Sequence, residues 1–136
     1  MQVYDIRSKV KKAIYQSTVR TKKHTDPVWQ VRWDPDTSKN YNFYSISSDG
    51  RVTNWILMKN KLEPEEIIKL KLVGKTADEE SSLIGYAGGL CFDFNKFEKH
   101  VFLVGTEEGK IHKCSKAFSG QYLETYEVLE LWERFH

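Results

Sequence analysis

Between His24 and Leu57 the sequence reads HTDPVWQVRWDPDTSKNYNFYSISSDGRVTNWIL, and this stretch constrains the fold more than any other part of the chain. A largely apolar run from Val28 to Trp33 gives way to polar turn residues. A second run spans Phe43 to Ile46, Ser-x-Asp-Gly follows, and a third run surrounds Trp55. Short apolar runs bounded by Asp, Asn, Ser and Gly predict strands with tight connections.

The pattern recurs. Leu90 to Phe94 alternates like an inner strand, and Val101 to Val104, Thr106-Glu107-Glu108-Gly109 and Lys110 to Cys114 repeat the strand, turn, strand order. Ser47, Asp49, Gly50 and Trp55 are matched 59 residues later by Thr106, Glu108, Gly109 and Cys114 at identical internal spacing. These units resemble blades of a WD-repeat β-propeller, whose repeats run to about 40–45 residues. The segment Lys59 to Ser82 can absorb the excess length. The expected fold class is all-β: a propeller fragment of about two four-stranded antiparallel blades, with a short C-terminal helix.

The expected organisation follows the chain. Residues 1–23 read as the end of a preceding blade and a basic loop, with a strand tail at Gln2–Ile6 and an outer strand at Ala13–Val19. Residues 24–73 form the first blade; its outer strand is Ile67 to Val73, because Pro64 blocks regular pairing before it. Residues 74–121 form a second, degenerate blade behind an acidic loop at Gly74–Ser82. Residues 122–136 are a divergent tail. In that tail Glu124, Glu127, Glu130 and Glu133 recur every third residue, which predicts a short amphipathic helix, with a frayed strand as the rival.

His24, Ser47, Asp49 and Trp55 stand where a WD blade carries a hydrogen-bonded chain. The physical reason is satisfaction of buried polar groups. An indole N–H or a hydroxyl left unpaired in a core costs a few kcal/mol. Imidazole can accept from one neighbour and donate to another, and a turn carboxylate can orient it. Ser, His and Asp are also the ingredients of a hydrolase triad, but no G-x-S-x-G elbow is present and Ser47 sits within a strand-like run. The structural reading is preferred. The second unit has Glu108 for Asp and Cys114 for Trp, and no His precedes Leu90. Its stability is expected to rest on packing of Leu90, Phe92, Phe94, Phe102 and Val104, and to be lower.

Other sites weigh less. Cys91, His100, His112 and Cys114 lack the paired spacing of a zinc site, so no metal or cofactor is expected. The two cysteines read as reduced, in an intracellular protein. Arg7, Lys9, Lys11, Lys12, Arg20, Lys22 and Lys23 face a single acid, Asp5, over the first 23 residues. Aromatics are not interleaved there as a nucleic-acid platform needs, and a solvated face is the better account. Gly85 to Gly89 does not end in Gly-Lys-Ser/Thr and reads as a turn rather than a phosphate loop. Formal net charge of +2 favours no partner class, and no apolar run approaches the ~18 residues of a membrane span.

The wording of the segments goes further than the repeat. HTDPVWQVRW, FYSISSDGRVTNW and VFLVGTEEGKIHKCSKAFSGQYLETY closely resemble the axonemal dynein intermediate chains, of the intermediate chain 1 type of the outer arm. The resemblance covers about residues 2 to 126. It implies a non-catalytic scaffold that docks on a dynein heavy chain, beside a second intermediate chain and light chains. It also implies a place in the cytoplasm and cytoskeleton of the ciliary or flagellar axoneme, reaching microtubules indirectly, with neither nucleic acid nor membrane as a partner. A generic WD-repeat adaptor, or a cytoplasmic dynein intermediate chain, is the alternative. Family members resemble a longer protein with a complete propeller, so the chain reads as entered in mid-blade. Beyond Tyr126 the family pattern gives way to EVLELWERFH, as a truncated or alternatively spliced end would. Two blades leave apolar faces uncovered, which predicts a marginal fold or one completed by another chain.

Overall fold

The computed structural model describes residues 1–18, 23–36, 41–73 and 83–127. Among these the chain is all β-strand. Strands β1 (Gln2–Val3) and β2 (Tyr15–Gln16) pair with each other. Strands β3 (Val28–Trp33), β4 (Asn42–Ser47), β5 (Arg51–Leu57) and β6 (Leu62–Lys69) form one antiparallel sheet in sequence order. A short ladder joins β7 (Lys71–Val73) to β8 (Leu83–Tyr86). Strands β9 (Gly89–Phe94), β10 (Val101–Thr106), β11 (Ile111–Ser115) and β12 (Tyr122–Tyr126) form the second four-stranded sheet, again in sequence order. Two meander sheets in succession are the blades expected from the repeat.

The registers make the two sheets equivalent position by position. In the first, Trp33 faces Phe43 and Phe43 faces Trp55; Val31 faces Ser45 and Ser45 faces Thr53. In the second, Phe94 faces Phe102 and Phe102 faces Cys114; Phe92 faces Val104 and Val104 faces His112. The tight turns match too. Gly50 N–H donates to Ser47 C=O and Gly109 N–H to Thr106 C=O, both at 3.1 Å. Both glycines take left-handed backbone, φ 82° and 85°, which L side chains resist. At Gly50 an added Cβ would also lie 2.5 Å from the Tyr86 Cβ.

The core lies between the sheets. Strand residues alternate sides, so Tyr44, Ile46 and Val52 of the first sheet share one face. That face packs on Phe92, Phe102, Val104 and Cys114 of the second. Tyr44 sits edge-on to Phe94 at 5.2 Å, and Phe92 to Phe94 at 5.4 Å, the geometry aromatic quadrupoles favour. A smaller cluster lies on the opposite face of the first sheet, where Met1, Val3 and Tyr15 pack against Phe43, Trp55 and Leu62.

Three expectations are corrected. The outer strand of the first blade is Leu62–Lys69, and Pro64 lies inside it opposite Trp55. An edge strand tolerates the missing N–H because one side of its ladder is unpaired. Lys71–Val73 leaves that sheet to pair with Leu83–Tyr86. Tyr122–Tyr126 is not helical: it is the fourth strand of the second sheet, with Ile111 opposite Tyr126 and Cys114 opposite Tyr122. Its three-residue spacing of Glu was outweighed by the free edge that β11 offers. The rest of the expected helix, 128–136, and the acidic loop at 74–82 lie outside the described residues.

Candidate functional site

The chain entering β3 carries His24 to the turn between β4 and β5. There the Nδ1 of His24 lies 3.0 Å from an Asp49 carboxylate oxygen, and both side chains are almost fully buried. A carboxylate accepts only, so Nδ1 carries the proton and Nε2 is the acceptor. The Ser45 hydroxyl donates to Nε2 at 2.6 Å. The Trp55 indole N–H donates to the Ser45 oxygen at 2.8 Å. Asp49 also accepts from the Thr25 and Arg51 amides, both at 3.0 Å, and from the Arg51 guanidinium, again at 3.0 Å. Every polar atom of the chain Trp55–Ser45–His24–Asp49 therefore has a partner.

The serine in this chain is Ser45, not the expected Ser47. Ser47 points to the same side but lies one pleat nearer the turn. Its hydroxyl donates to the Asp26 carbonyl at 2.9 Å and accepts from the Asp49 amide at 3.2 Å. Trp55 is paired with Phe43, so its indole reaches the diagonal neighbour Ser45. Counting from the Asp-Gly turn alone does not separate two serines on one face; the diagonal from Trp55 does.

Charge follows geometry. Burial pushes the His24 imidazole below its ordinary pKa, against the pull of Asp49. Burial alone would raise the Asp49 carboxyl. The Thr25 amide, Arg51 and His24 outweigh it and hold the pKa below its usual value. The site is thus a neutral imidazole beside a carboxylate neutralised by Arg51. Asp49, His24 and Ser45 stand in the order of a nucleophilic triad. The Ser45 side chain is, however, 0% exposed and its oxygen is occupied by Trp55. A substrate carbonyl cannot approach it, so the chain of bonds fixes the sheet edge.

The second sheet satisfies itself differently. Thr106 closes its own turn with Lys110 at 3.3 Å, and Glu108 lies 4.0 Å from the Lys110 ammonium. The position equivalent to Ser45 is Val104, and Cys114 replaces Trp55, so there is no indole to satisfy. His112 takes the place of Thr53. It stacks on Tyr122 at 3.8 Å and meets the Thr125 hydroxyl at 2.9 Å. Burial, with Lys110 nearby, lowers its pKa. Burial pushes the Cys114 thiol up to about 12. Cys91 points to the opposite side of this sheet, beneath Gly105, so it cannot join Cys114 and His112 around one metal.

Sequence reasoning missed the polar ties between blades. Gln30 accepts from the Phe92 amide at 2.8 Å, Arg32 pairs with Asp93 at 2.6 Å, and Ser48 donates to Glu107 at 3.1 Å. The Lys116 ammonium pairs with buried Asp34 at 3.0 Å and lies 4.6 Å from the Phe94 ring centre. These pairs join residues far apart in sequence, so no local spacing announces them. Of the basic residues near the amino terminus, Arg7, Lys9, Lys11 and Lys12 lie on an exposed connection between β1 and β2, in which Arg7 pairs with Asp5 at 3.2 Å, while Arg20 and Lys22 lie outside the described residues. On one face of β3 Val31 and Trp33 are 50% and 56% exposed; Trp29, at the irregularity between Val28 and Gln30, is 57% exposed and its indole N–H donates to Ser48 at 2.6 Å.

Two equivalent meander sheets with a buried His-Ser-Trp-Asp chain define a portion of a WD-repeat β-propeller. No protein-family model matches the chain. It is 48% identical over 143 aligned residues, 98% of its length, to ciliary dynein intermediate chain 2 of Heliocidaris crassispina. It is 53% identical over 91% of its length to the 78 kDa intermediate chain of the flagellar outer arm of Chlamydomonas reinhardtii. Against dynein axonemal intermediate chain 1 of Mus musculus the figures are 44% and 98%. The chain belongs with the axonemal dynein intermediate chains, as a homologue of one segment of them. It spans about a fifth of the length of these relatives, 20%, 19% and 20% respectively.

Proposed function

We propose that this chain is a non-catalytic scaffold unit of an axonemal, outer-arm dynein. It docks on the heavy chain, beside a second intermediate chain and light chains, and supports ciliary or flagellar motility. The observation that carries this reading is the sealed Trp55–Ser45–His24–Asp49 chain in a sequence homologous to ciliary and flagellar intermediate chains. Its reactive-looking groups are spent on each other, which leaves surfaces as the means of action. Microtubules are reached through the complex, and the place of work is the cytoskeleton of the axoneme.

The test is affinity capture of the tagged chain from a salt extract of cilia. Recovery of dynein heavy chain in stoichiometric amount is the expected result. Recovery of other complexes without heavy chain overturns the assignment. The purified chain should hydrolyse neither ATP nor esters; turnover that vanishes in Ser45→Ala would refute the scaffold reading of that site.

A further inference from the structure

Beside the shared core, between the two sheets, lies a cleft of about 500 Å³, within the size range of sites that take a ligand. Tyr44 of β4 and Asn54 of β5 form its floor, and Ile56 and Ile67 an apolar wall. Tyr44, Asn54 and Ile67 are buried, whereas Glu65, Lys99 and His100 stand exposed at the mouth.

The cleft already holds one ammonium. Lys116, just past β11, pairs with Asp34 at 3.0 Å and lies 5.2 Å from the centre of the Tyr44 ring. Asp34 is well occupied: it also accepts from the Asn42 side-chain amide at 3.2 Å and from the Asp36 amide at 3.0 Å. Asn42 donates as well to the Asn54 oxygen at 2.8 Å.

Two groups are left over. The Tyr44 side chain is 2% exposed, and among the described residues its hydroxyl has no hydrogen-bond partner. Burial, with Asp34 and Glu65 beside it, pushes the phenol far above its ordinary pKa, so the hydroxyl keeps its hydrogen and lies on the carboxylate side of the cleft. A buried hydroxyl without a partner is rare and costly. The second group is the Glu65 carboxylate. Among the described residues it receives only the Asn54 amide, at 3.5 Å, the outer limit of a hydrogen bond.

These leftovers specify an occupant. Asp34, Asp36 and Glu65 outnumber Lys99 and Lys116 around the cleft, which favours a cation. A metal ion fits poorly, because among the described residues no three His, Cys, Asp or Glu side chains are grouped as ligands. A guanidinium would bring five donors to two open acceptors; a compact ammonium brings three. The acceptors sit toward the closed floor and the aliphatic wall leads out to an open mouth. That arrangement suits an alkyl stem entering from a chain outside.

We propose that this cleft is the docking site for a lysine side chain of a partner protein. The stem lies along Ile56 and Ile67, and the ammonium donates to the Glu65 carboxylate and the Tyr44 hydroxyl oxygen. This goes beyond the dynein-subunit reading and does not depend on it.

The probe is the peptide acetyl-Gly-Gly-Lys-Gly-Gly-amide, titrated into the full chain while the side-chain amide NMR signals of Asn42 and Asn54 are followed. Saturable shifts are expected, and none with the same peptide acetylated at the lysine Nζ. Glu65→Gln should weaken binding about tenfold and Tyr44→Phe about fivefold. Neither variant should lower Tm, because Glu65 is exposed and the Tyr44 hydroxyl has no partner to lose. Absence of saturable shifts overturns the proposal, as does an equal response to the acetylated peptide or binding indifferent to both substitutions. A lowered Tm in Tyr44→Phe would show the hydroxyl bonded within the fold and overturn it too. Binding of 1,4-diaminobutane more than tenfold tighter than the peptide assigns the cleft to a free amine, and preference for a glutamate peptide assigns it to an anion; either result equally overturns it.

Discussion

Ser45 is a small residue that settles two larger ones. Its oxygen receives the Trp55 indole and its hydrogen goes to His24, so removing it orphans two buried groups at once. Ser45→Ala should destabilise the chain by about 1–3 kcal/mol, more than Ser47→Ala, whose partners are backbone groups near the turn. Denaturant midpoints of the two variants check the order; equal losses would return the site to Ser47. A second prediction concerns pH. His24 and His112 are both held neutral by burial. Above the ordinary imidazole pKa of about 6.5 folded and unfolded chains carry the same charge there. As pH falls below it, the unfolded chain takes up protons that the folded chain refuses, so stability drops. Asp49, held low, adds a further loss only under strongly acid conditions. Denaturation midpoints between pH 7.5 and 5.5 should decline; a flat profile would contradict the burial of these rings.

At the scale of strands, thiol chemistry separates the two sides of the second sheet. Cys91 is exposed and Cys114 is buried with its thiol pushed up to about 12. A thiol reagent at neutral pH should label Cys91 promptly and Cys114 only in denaturant, as mass spectrometry of the labelled peptides would show. Prompt labelling of both would mean the core face is open. The strands themselves were largely legible. Val28–Trp33, Phe43–Ile46 and Leu90–Phe94 announce themselves by composition and bounding turns, and the Asp-Gly and Glu-Gly turns mark the hairpins. Two elements were misread for physical reasons. Pro64 signals a break only where its N–H is needed, and an outer strand does not need it. The three-residue Glu spacing after Tyr122 is a helical signal in isolation, but β11 offers a ladder that no local pattern reveals. The site was legible in its types and not in its members, since Ser45 and Ser47 share a face and only the diagonal from Trp55 chooses between them.

Across the whole chain, one aromatic-aliphatic core binds both sheets. Phe102 is fully buried between them, and Phe102→Ala should cost about 3–5 kcal/mol. A shared core means the blades stand or fall together, even though only the first holds the buried polar chain. That claim carries the scaffold account, because a surface assembled across two sheets needs them fixed to each other. It is tested most directly by following denaturant unfolding with two reporters at once: fluorescence of Trp55 for the first sheet, and thiol exposure of Cys114 for the second. The account predicts one transition with coincident midpoints. Separate midpoints, with Cys114 released while Trp55 stays buried, would contradict it.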